Sequence, residues 1–496
     1  MFSLILIGIN NVFHLNNLIF IILGTVLGIL IGAAPGLTAT MGVALLIPIT
    51  FKMDPSAGLC MLGAIYCGAI YGGSISAILI HTPGTSASVA TMWDGYELTK
   101  KGLPGKALGI STISSFFGGE FSALCLLLIA PPLAMFSLRF GPPERFLLAV
   151  FGLTIIITLS SKSLLKGLIS GFFGLLITTT GMQLVTGDIR FTFNQTSLIS
   201  GIPLIPALIG LFSISEALIL IETKKAKIQR VKTNIKDRIL PALKDFKRIQ
   251  TTILSSSIIG TIVGIIPGAG TSIGSYVSYD QAKRVSKNPE QFGKGTIVGI
   301  AASEAGNNAV TGGSLIPLLT LSIPGNAVSA VFLGGLLIHG LVPGPELFTN
   351  YGPITYTLMV SLFLSNLCLL IFGLAGAKIF CKVVKAPADI LAPLIIILGT
   401  IGSYSLTNDI FHVYLMFVFG LIGYIMRKYD FPAVPIVLAI VLGPIAESEL
   451  LRTLLLFKGK MYTILMRPIC IILIGLIILS FVTSFMQIRK DKKKTI

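Results

Sequence analysis

The sequence predicts an all-α polytopic membrane protein, and three observations support this fold class. Charged residues make up 11% of the 496-residue chain, whereas soluble domains carry roughly 25%. The mean hydropathy is +0.90, and apolar runs long enough to cross a ~30 Å hydrocarbon core recur from Leu18 to Phe485. Because an open sheet edge cannot exist in lipid, these runs are expected to be helical. At ~20 residues per span they predict about 12 transmembrane or re-entrant helical segments.

The apolar segments fall into two halves around a basic stretch. Residues 18–221 form the first membrane half and residues 251–488 the second. Residues 222–250 are predicted to be a basic cytoplasmic loop, and residues 489–496 a basic cytoplasmic tail. Residues 1–17 are predicted to be an apolar leader that stays attached, because no Lys or Arg precedes the apolar run and no clear cleavage site follows it.

The net charge is +17, and the basic residues responsible for it cluster in loops and in the C-terminal tail. Basic residues cluster between Lys224 and Arg248 without a nucleic-acid-binding motif, so nucleic-acid binding is not expected. The six Cys form no CxxC pair and the four His no HExxH motif, which argues against a disulfide framework, a zinc site or a metal hydrolase. The absence of GxxxxGK[ST] disfavours an ATP-driven pump. We expect no enzyme activity and no cofactor beyond a coupling ion.

Four Pro-Gly pairs interrupt apolar segments, and their order is repeated. Such a pair removes a backbone donor and permits positive φ, so each pair is expected to break a helix. Gly-x3-Gly leads into the first break of each set, and Gly-Gly-Ser precedes the second. Residues 24–109 and 260–348 are therefore predicted to form an internal repeat. The pairs are Pro35-Gly36, Pro83-Gly84, Pro267-Gly268 and Pro324-Gly325.

The charges around the breaks predict opposite orientations for the two repeats. Residues 100–106 are basic, whereas residues 341–345 carry no Lys or Arg. Between the breaks the bias reverses, with one Lys in residues 51–56 and a basic loop at residues 280–294. The positive-inside rule places the basic loops and the C-terminus in the cytoplasm, and the other two loops in the periplasm. Inverted repeats with broken helices are typical of secondary transporters.

The breaks are also candidate binding sites. A half-helix N-terminus carries partial positive charge and open N–H donors that suit a carboxylate, although a structural kink with satisfied backbone is the alternative interpretation. The paired arrangement favours a site in which the ends after Pro83-Gly84 and Pro324-Gly325 converge. If φ is positive at Gly84 or Gly325, a β-branched residue is expected to be strained there. The predicted substrate-binding residues are Gly36, Thr38, Ser74, Pro83, Gly84, Thr85, Ser86, Gly268, Thr271, Ser314, Pro324, Gly325 and Asn326.

Glu304 is the most deeply placed acid, and Glu304, Asn307 and Asn308 are the predicted coupling-ion residues. No Lys or Arg lies between Gly295 and Val342, which leaves a bound cation, a proton, or hydrogen bonds from Ser303, Asn307 or Asn308 to stabilise the carboxylate. Sodium is the only metal considered, and a Glu that only satisfies a neighbouring helix is the alternative. Other acids lie nearer to segment ends or polar neighbours, where capping or interfacial exposure explains them: Glu120, Glu144, Glu216, Asp409 and Glu447.

Five stretches together resemble the large membrane subunit of the tripartite tricarboxylate transporter family, the TctA type. Two small departures are Ser303, where a Pro is expected before the glutamate, and Ala305-Gly306 ahead of the Asn pair. The stretches are GAAPGLTATMGVALLIPIT (32–50), YGGSISAILIHTPGTSASVATMWDGY (71–96), GTIVGIIPGAGTSI (260–273), GIAASEAGNNAVTGGSLIPLLTLSIPGNAVSAVFLGGLLIHGLVPGP (299–345) and FPAVPIVLAIVLGPIAESELLR (431–452).

The resemblance implies an uptake system in a bacterial inner membrane, driven by a sodium or proton gradient. It also implies two protein partners, a small transmembrane subunit and a periplasmic solute-binding protein that delivers a tricarboxylate or a related small organic carboxylate. Membrane lipid is the remaining partner. A stand-alone carboxylate carrier and a passive anion channel stay open as alternatives, whereas a membrane enzyme is opposed by the missing nucleophile and metal motifs.

Overall fold

A computed structural model describes residues 2–34, 36–159, 163–183, 185–222, 235, 237–383, 388–406, 408–458 and 460–494. Parts of the sequence-based predictions lie outside the described residues. They include residue 1 of the predicted leader, Pro35 of the first Pro-Gly pair, residues 223–234 and 236 of the predicted basic loop, and the last two residues of the predicted tail.

The described chain is almost entirely helical. A two-stranded hairpin, β1 (Gly181–Met182) and β2 (Ile189–Arg190), pairs antiparallel with Gly181 opposite Arg190, and a π-helical turn at Ile209–Ile214 joins α9 to α10. The helices are α1 (Phe2–Val12), α2 (Leu15–Ala33), α3 (Ala39–Thr50), α4 (Pro55–Ile80), α5 (Val89–Lys100), α6 (Pro104–Ser137), α7 (Pro142–Leu159), α8 (Leu164–Thr178), α9 (Leu204–Leu208), α10 (Ser215–Glu222), α11 (Leu243–Ile265), α12 (Gly270–Val285), α13 (Ile297–Leu321), α14 (Ala327–Ile338), α15 (Pro345–Thr349), α16 (Gly352–Val383), α17 (Ala388–Ser405), α18 (Ile410–Lys428), α19 (Val434–Leu456) and α20 (Pro468–Lys494).

Membrane-spanning length and composition recur along the chain. Among the described residues, eight helical segments are long and apolar enough to cross a bilayer, and six shorter apolar helices accompany them. The predicted all-α polytopic membrane fold is therefore confirmed. The eight segments are Leu15–Ala33, Pro55–Ile80, Pro104–Ser137, Leu204–Glu222, Leu243–Ile265, Gly352–Ala377, Ile410–Lys428 and Val434–Leu456.

The chain forms two compact units. Unit 1 comprises Met1–Ala134 and Glu216–Gly402, and unit 2 comprises Met135–Ser215 and Ser403–Ile496. Every residue that the sequence singles out for substrate or ion binding belongs to unit 1.

Small residues decide how the helices of unit 1 pack. A Cβ added at Gly24, Gly28 or Gly32 of α2 would lie 2.2–2.6 Å from a backbone carbonyl oxygen of α4. A Cβ at Gly260 of α11 would lie 2.1 Å from the Gly306 carbonyl oxygen of α13. Only a glycine permits such close helix contact, which is the small-xxx-small packing of membrane helices.

At one end of unit 1, the loop before α13 is fastened to α5. The buried carboxylate of Asp94 accepts hydrogen bonds from the Tyr279 hydroxyl (2.8 Å) and from the backbone N–H groups of Gly293 (3.0 Å), Gly295 (2.8 Å) and Thr296 (2.9 Å). The Lys101 ammonium also donates to the Lys294 carbonyl oxygen. The basic loops at residues 100–106 and 280–294 therefore meet at this end.

A different pair of loops meets elsewhere in unit 1. The His339 Nε2 lies 3.4 Å from the Thr50 Oγ1, so the residues after α14 contact the end of α3. A Cβ added at Gly58 would lie 2.6 Å from the same imidazole nitrogen. The loops at residues 51–56 and 341–345 thus lie close together.

In unit 2, α19 packs against α7 and α8, and α20 packs against α7. Glu144 accepts from the Gly141 N–H (2.9 Å) and pairs with Arg467, while Glu447 binds both terminal nitrogens of Arg190 at 2.7 and 3.1 Å. Asp409 caps α18, and hydrogen bonds from the Ser197 hydroxyl and the Phe411 N–H hold its pKa below the usual range.

The location predicted for Glu120 is wrong. This residue lies halfway along α6, well away from either end of that helix. Gly118 and Gly119 continue the helix beside Glu120, and they pack closely against α13 and the Asn366 side chain.

Candidate functional site

Two of the four breaks are tight loops between a helix and its successor. The helix α2 ends at Ala33 and α3 begins at Ala39, where the Thr38 Oγ1 caps the helix by accepting from the Met41 N–H at 3.2 Å. The helix α11 ends at Ile265 and α12 begins at Gly270. Gly36 (φ +86°) and Gly268 (φ +80°) adopt the left-handed conformation that glycine permits.

The other two breaks share one design. The residue after α4, His81, and the residue after α13, Ser322, both adopt a left-handed conformation, with φ of 57° and 61°. The chain then turns back, and polar groups cap the start of the next helical segment. In the first break the Ser88 Oγ accepts from the Thr85 N–H at 3.4 Å, and the second break has a complete capping box. In the second break, the Asn326 Oδ1 accepts from the Ser329 N–H and the Ser329 Oγ accepts from the Asn326 N–H, both at 2.9 Å.

Gly84 and Gly325 lie where the returning chain crosses a neighbouring helix. A Cβ on Gly84 would lie 2.1 Å from the Gly32 carbonyl oxygen, and a Cβ on Gly325 would lie 2.4 Å from the Gly264 carbonyl oxygen. Neither residue has a positive φ. The expected requirement for glycine therefore arises from close backbone approach, and the conditional argument from φ does not apply.

Three of the breaks are brought into contact. The Gly268 N–H donates to the Gly325 carbonyl oxygen at 2.8 Å. The Ser272 hydroxyl donates to the Ser86 hydroxyl at 2.8 Å, so the start of α12 touches the half-helix that follows Pro83-Gly84. The breaks at Gly84 and Gly325 therefore both contact the short segment 268–272, which contains the start of α12.

Tyr66 of α4 joins the two repeat segments. Its hydroxyl lies 3.0 Å from the Ser314 Oγ and accepts from the Asn326 Nδ2 at 2.7 Å. Sequence reasoning missed Tyr66, although a Tyr inside an otherwise small and apolar helix is a polar signal that could have drawn notice.

The remaining predicted residues are placed differently. Gly36 and Thr38 make no described contact with the other three breaks, and the nearest side chain to Gly36 is that of Leu220. The Ser74 hydroxyl contacts the Ser111 hydroxyl at 2.8 Å instead of a break. Pro83 and Thr271 are half-buried and Pro324 is buried.

Buried polar atoms without partners mark the same region. Within the described residues, the Thr85 Oγ1 and both amide atoms of Asn307 are buried and make no hydrogen bond. Asn307 lies one helical turn from Ser303 and two turns from Ser314, and these two serines contact Thr91 of α5 and Tyr66 of α4. Buried polar groups are normally paired, so these atoms indicate a place for a polar ligand or water.

The Glu304 carboxylate is fully buried and held by hydroxyl groups from two other helices. The Ser115 and Ser111 hydroxyls donate to its Oε2 at 2.9 and 3.3 Å, and the Thr91 hydroxyl donates to its Oε1. A carboxylate accepts several donors at once, so this arrangement stabilises negative charge without a cation.

Hydrogen bonds from Ser303, Asn307 or Asn308 were one of the three alternatives for stabilising this carboxylate, and within the described residues they do not form. The hydroxyls of Thr91, Ser111 and Ser115 occupy the carboxylate. The Asn308 Nδ2 instead reaches the Glu304 backbone carbonyl at 3.2 Å. The i, i+4 pair of serines in α6 was the available sequence signal for the true donors.

Comparison with known proteins identifies relatives from Agrobacterium vitis. One, described as an uncharacterized 52.8 kDa protein in the TAR-I ttuC' 3' region, is 36% identical over 477 residues, covering 96% of this chain and 95% of the relative. Another, described as an uncharacterized protein in the TAR-II ttuC' 3' region, is 34% identical over 234 residues, covering 47% of this chain and 97% of the relative.

The family itself is identified by a match over most of the chain. Residues 18–438 match the family described as the Tripartite tricarboxylate transporter TctA family. This match confirms the resemblance seen in the five sequence stretches. The chain therefore belongs to the tripartite tricarboxylate transporter TctA family and is a component of a transporter of that class.

Proposed function

We propose that this chain is the large transmembrane subunit of a binding-protein-dependent secondary transporter. In this proposal it imports a tricarboxylate or a related small organic carboxylate across the inner membrane of a bacterium, driven by a sodium or proton gradient. The observation that carries the proposal is the meeting of three helix breaks in unit 1 beside buried polar atoms that lack partners.

The substrate is proposed to bind at the contact between these breaks. The half-helix α14 and the helical segment that begins at Ser86 each present backbone N–H donors and partial positive charge at the N-terminus. The Ser86 and Ser272 hydroxyls and the Asn326 amide add donors, and no Lys or Arg occurs in either break. Such neutral donors suit a carboxylate that must bind and then leave.

Energy coupling is assigned in this proposal to Glu304 with Asn307 and Asn308. Glu304 is buried in unit 1, and its network reaches Ser74 through Ser111. A carboxylate held only by hydroxyls can bind or release a small cation or a proton without breaking an ion pair. Unpartnered oxygens on Asn307 and Asn308 offer further ligands for sodium.

Opposite orientation of the two repeats forms part of the proposal. The two loops expected in the cytoplasm meet at residues 101 and 294, and the two expected in the periplasm meet at residues 50 and 339. This grouping is what two upside-down repeats require. The partner subunits are inferred from the tripartite family, and a stand-alone carrier or a passive anion channel is the alternative.

Counterflow separates a carrier from a channel. We expect reconstituted complex preloaded with unlabelled carboxylate to take up labelled carboxylate several-fold faster than empty vesicles, because an alternating site returns loaded. A channel gives no such stimulation. Omission of the binding protein or of the small subunit is expected to stop uptake, and full activity of the single chain would instead identify a stand-alone carrier.

Cysteine labelling tests the orientation in cells that express a chain without its native Cys. Leu103→Cys and Val285→Cys are expected to react only after the inner membrane is permeabilised. Phe51→Cys and Val342→Cys are expected to react in intact cells. All four native side chains are exposed. Labelling of positions 103 and 342 from the same side contradicts the inverted arrangement.

A further inference from the structure

An apolar groove of about 420 Å³ lies on unit 1 between α6, α11 and α16. Phe117, Phe121, Phe246 and Phe363 make its walls aromatic, and Leu124 and Leu254 lie at its rim with 45% and 56% of their surfaces exposed. Glu120 also lines the groove.

Glu120 differs from the other acids discussed above. Within the described residues it makes no hydrogen bond and no ion pair, whereas Glu304 has three hydroxyl donors and Glu144 and Glu447 each pair with an arginine. An acidic side chain at such a position in a membrane helix is costly unless a partner neutralises it. The groove therefore lacks a component with a hydrogen-bond donor or a positive charge.

The depth of Glu120 argues against a lipid as that component. The helix α6 has 34 residues, and at ~1.5 Å per residue Glu120 lies about 24 Å from each end. Lipid amines and phosphates lie outside the ~30 Å hydrocarbon core, and lipid tails carry no donor. A lipid can fill the aromatic walls but leaves the carboxyl group unpartnered.

A second copy of this chain does not provide the charge either. Every Lys and Arg in the helices that the structure describes lies within two turns of a helix end, as Lys106 does in α6 and Arg452 in α19. No described helix of this chain therefore carries a cation near its middle, which is where Glu120 lies in α6.

We propose that the groove receives a transmembrane helix of a different membrane protein, one with a single Lys or Arg near its middle. The cation would pair with Glu120, and apolar side chains at i, i+3 and i+4 of the same helix would insert between the phenylalanines. The identification of this second membrane protein as the small transmembrane subunit rests on the proposed function.

Photocrosslinking tests the location of the partner helix. A photoreactive residue replaces Leu124 or Leu254 at the groove, or Leu23 on α2 as a control of similar exposure (46%) away from the groove. In membranes containing both subunits, the groove positions are expected to yield a peptide from a hydrophobic segment of the small subunit that contains Lys or Arg. Position 23 is expected to yield none. Adducts with lipid only, or with a second copy of this chain, overturn the proposal.

Charge exchange tests the ion pair. Glu120→Lys is expected to lower recovery of the small subunit with the tagged chain at least tenfold, and Glu120→Gln to lower it less. The matched control Glu290→Lys reverses a charge in an exposed turn and is expected to leave recovery unchanged. Exchange of the crosslinked Lys or Arg for Glu in the partner is expected to restore binding to Glu120→Lys.

Failure of the groove proposal can be distinguished from failure of the proposed function. Unchanged recovery with Glu120→Lys, or a loss that no partner exchange restores, overturns the groove proposal even if the complex transports. A wild-type chain that exchanges substrate with no second subunit overturns the partner dependence instead. Crosslinking uses the native Glu120, so it stays informative if Glu120→Lys fails to fold.

Discussion

Glu304→Gln is expected to abolish accumulation of substrate against its gradient while the chain still inserts into the membrane. The amide keeps one acceptor oxygen but places an N–H₂ group where a carboxylate oxygen now accepts hydroxyl donors. A hydrogen bond to a charged group contributes about 1.5–3 kcal/mol, and every 1.4 kcal/mol is about tenfold in an equilibrium. We expect accumulation to fall by about 100-fold, measured with labelled carboxylate in energised vesicles.

Two neighbouring serines of α6 provide a matched comparison for this prediction. Ser115→Ala removes a donor to Glu304 and is expected to reduce accumulation by about tenfold. Ser114→Ala removes a buried hydroxyl that has no partner within the described residues and is expected to leave accumulation unchanged. Retention of normal ion-driven uptake by Glu304→Gln would make Glu304 structural and place coupling elsewhere.

Gly84→Val and Gly325→Val are each expected to eliminate transport. A side chain at either position meets a backbone carbonyl oxygen at 2.1 or 2.4 Å, and a helix backbone cannot move aside cheaply in a close-packed interior. The returning chain must shift, which displaces the capped start of the following helix. Uptake by vesicles with equal amounts of inserted protein measures the effect.

A glycine in open space serves as the control for these variants. Gly475 of α20 has no atom within 4 Å of an added Cβ, so Gly475→Ala is expected to leave transport intact and to favour the helix slightly. Normal uptake by both valine variants would show that the breaks are only kinks. Loss of insertion in both would instead assign the two glycines to folding.

Local chemistry explains why the sequence predicts the helix breaks well. A Pro-Gly pair and a Ser, Thr or Asn cap act within a few residues, and the structure has helices ending at each described break. The sequence suggested positive φ as the reason why Gly84 and Gly325 must be glycines, whereas the structure shows close approach of two backbones. That approach depends on packing between distant segments. Sequence spacing contains no measure of that distance.

Long-range partners were the main omission for the same reason. Thr91, Ser111 and Ser115 lie about 190 to 213 positions from Glu304, so only the fold reveals that they surround it. Hydrogen bonds from the two Asn residues that follow Glu304 were one of the alternatives that the sequence left open, but hydroxyls of α5 and α6 occupy the carboxylate. The location predicted for Glu120 was wrong because the sequence does not show that α6 continues unbroken from Pro104 to Ser137.

The fastening of Asp94 has a mechanical consequence. Four donors hold this one buried carboxylate, whereas a single hydroxyl–hydroxyl bond joins Ser86 to Ser272 at the exposed side of the same region. Separating α5 from the start of α13 therefore costs far more than parting the two serines. A small displacement of these segments therefore separates the two serines before it breaks the contacts of Asp94.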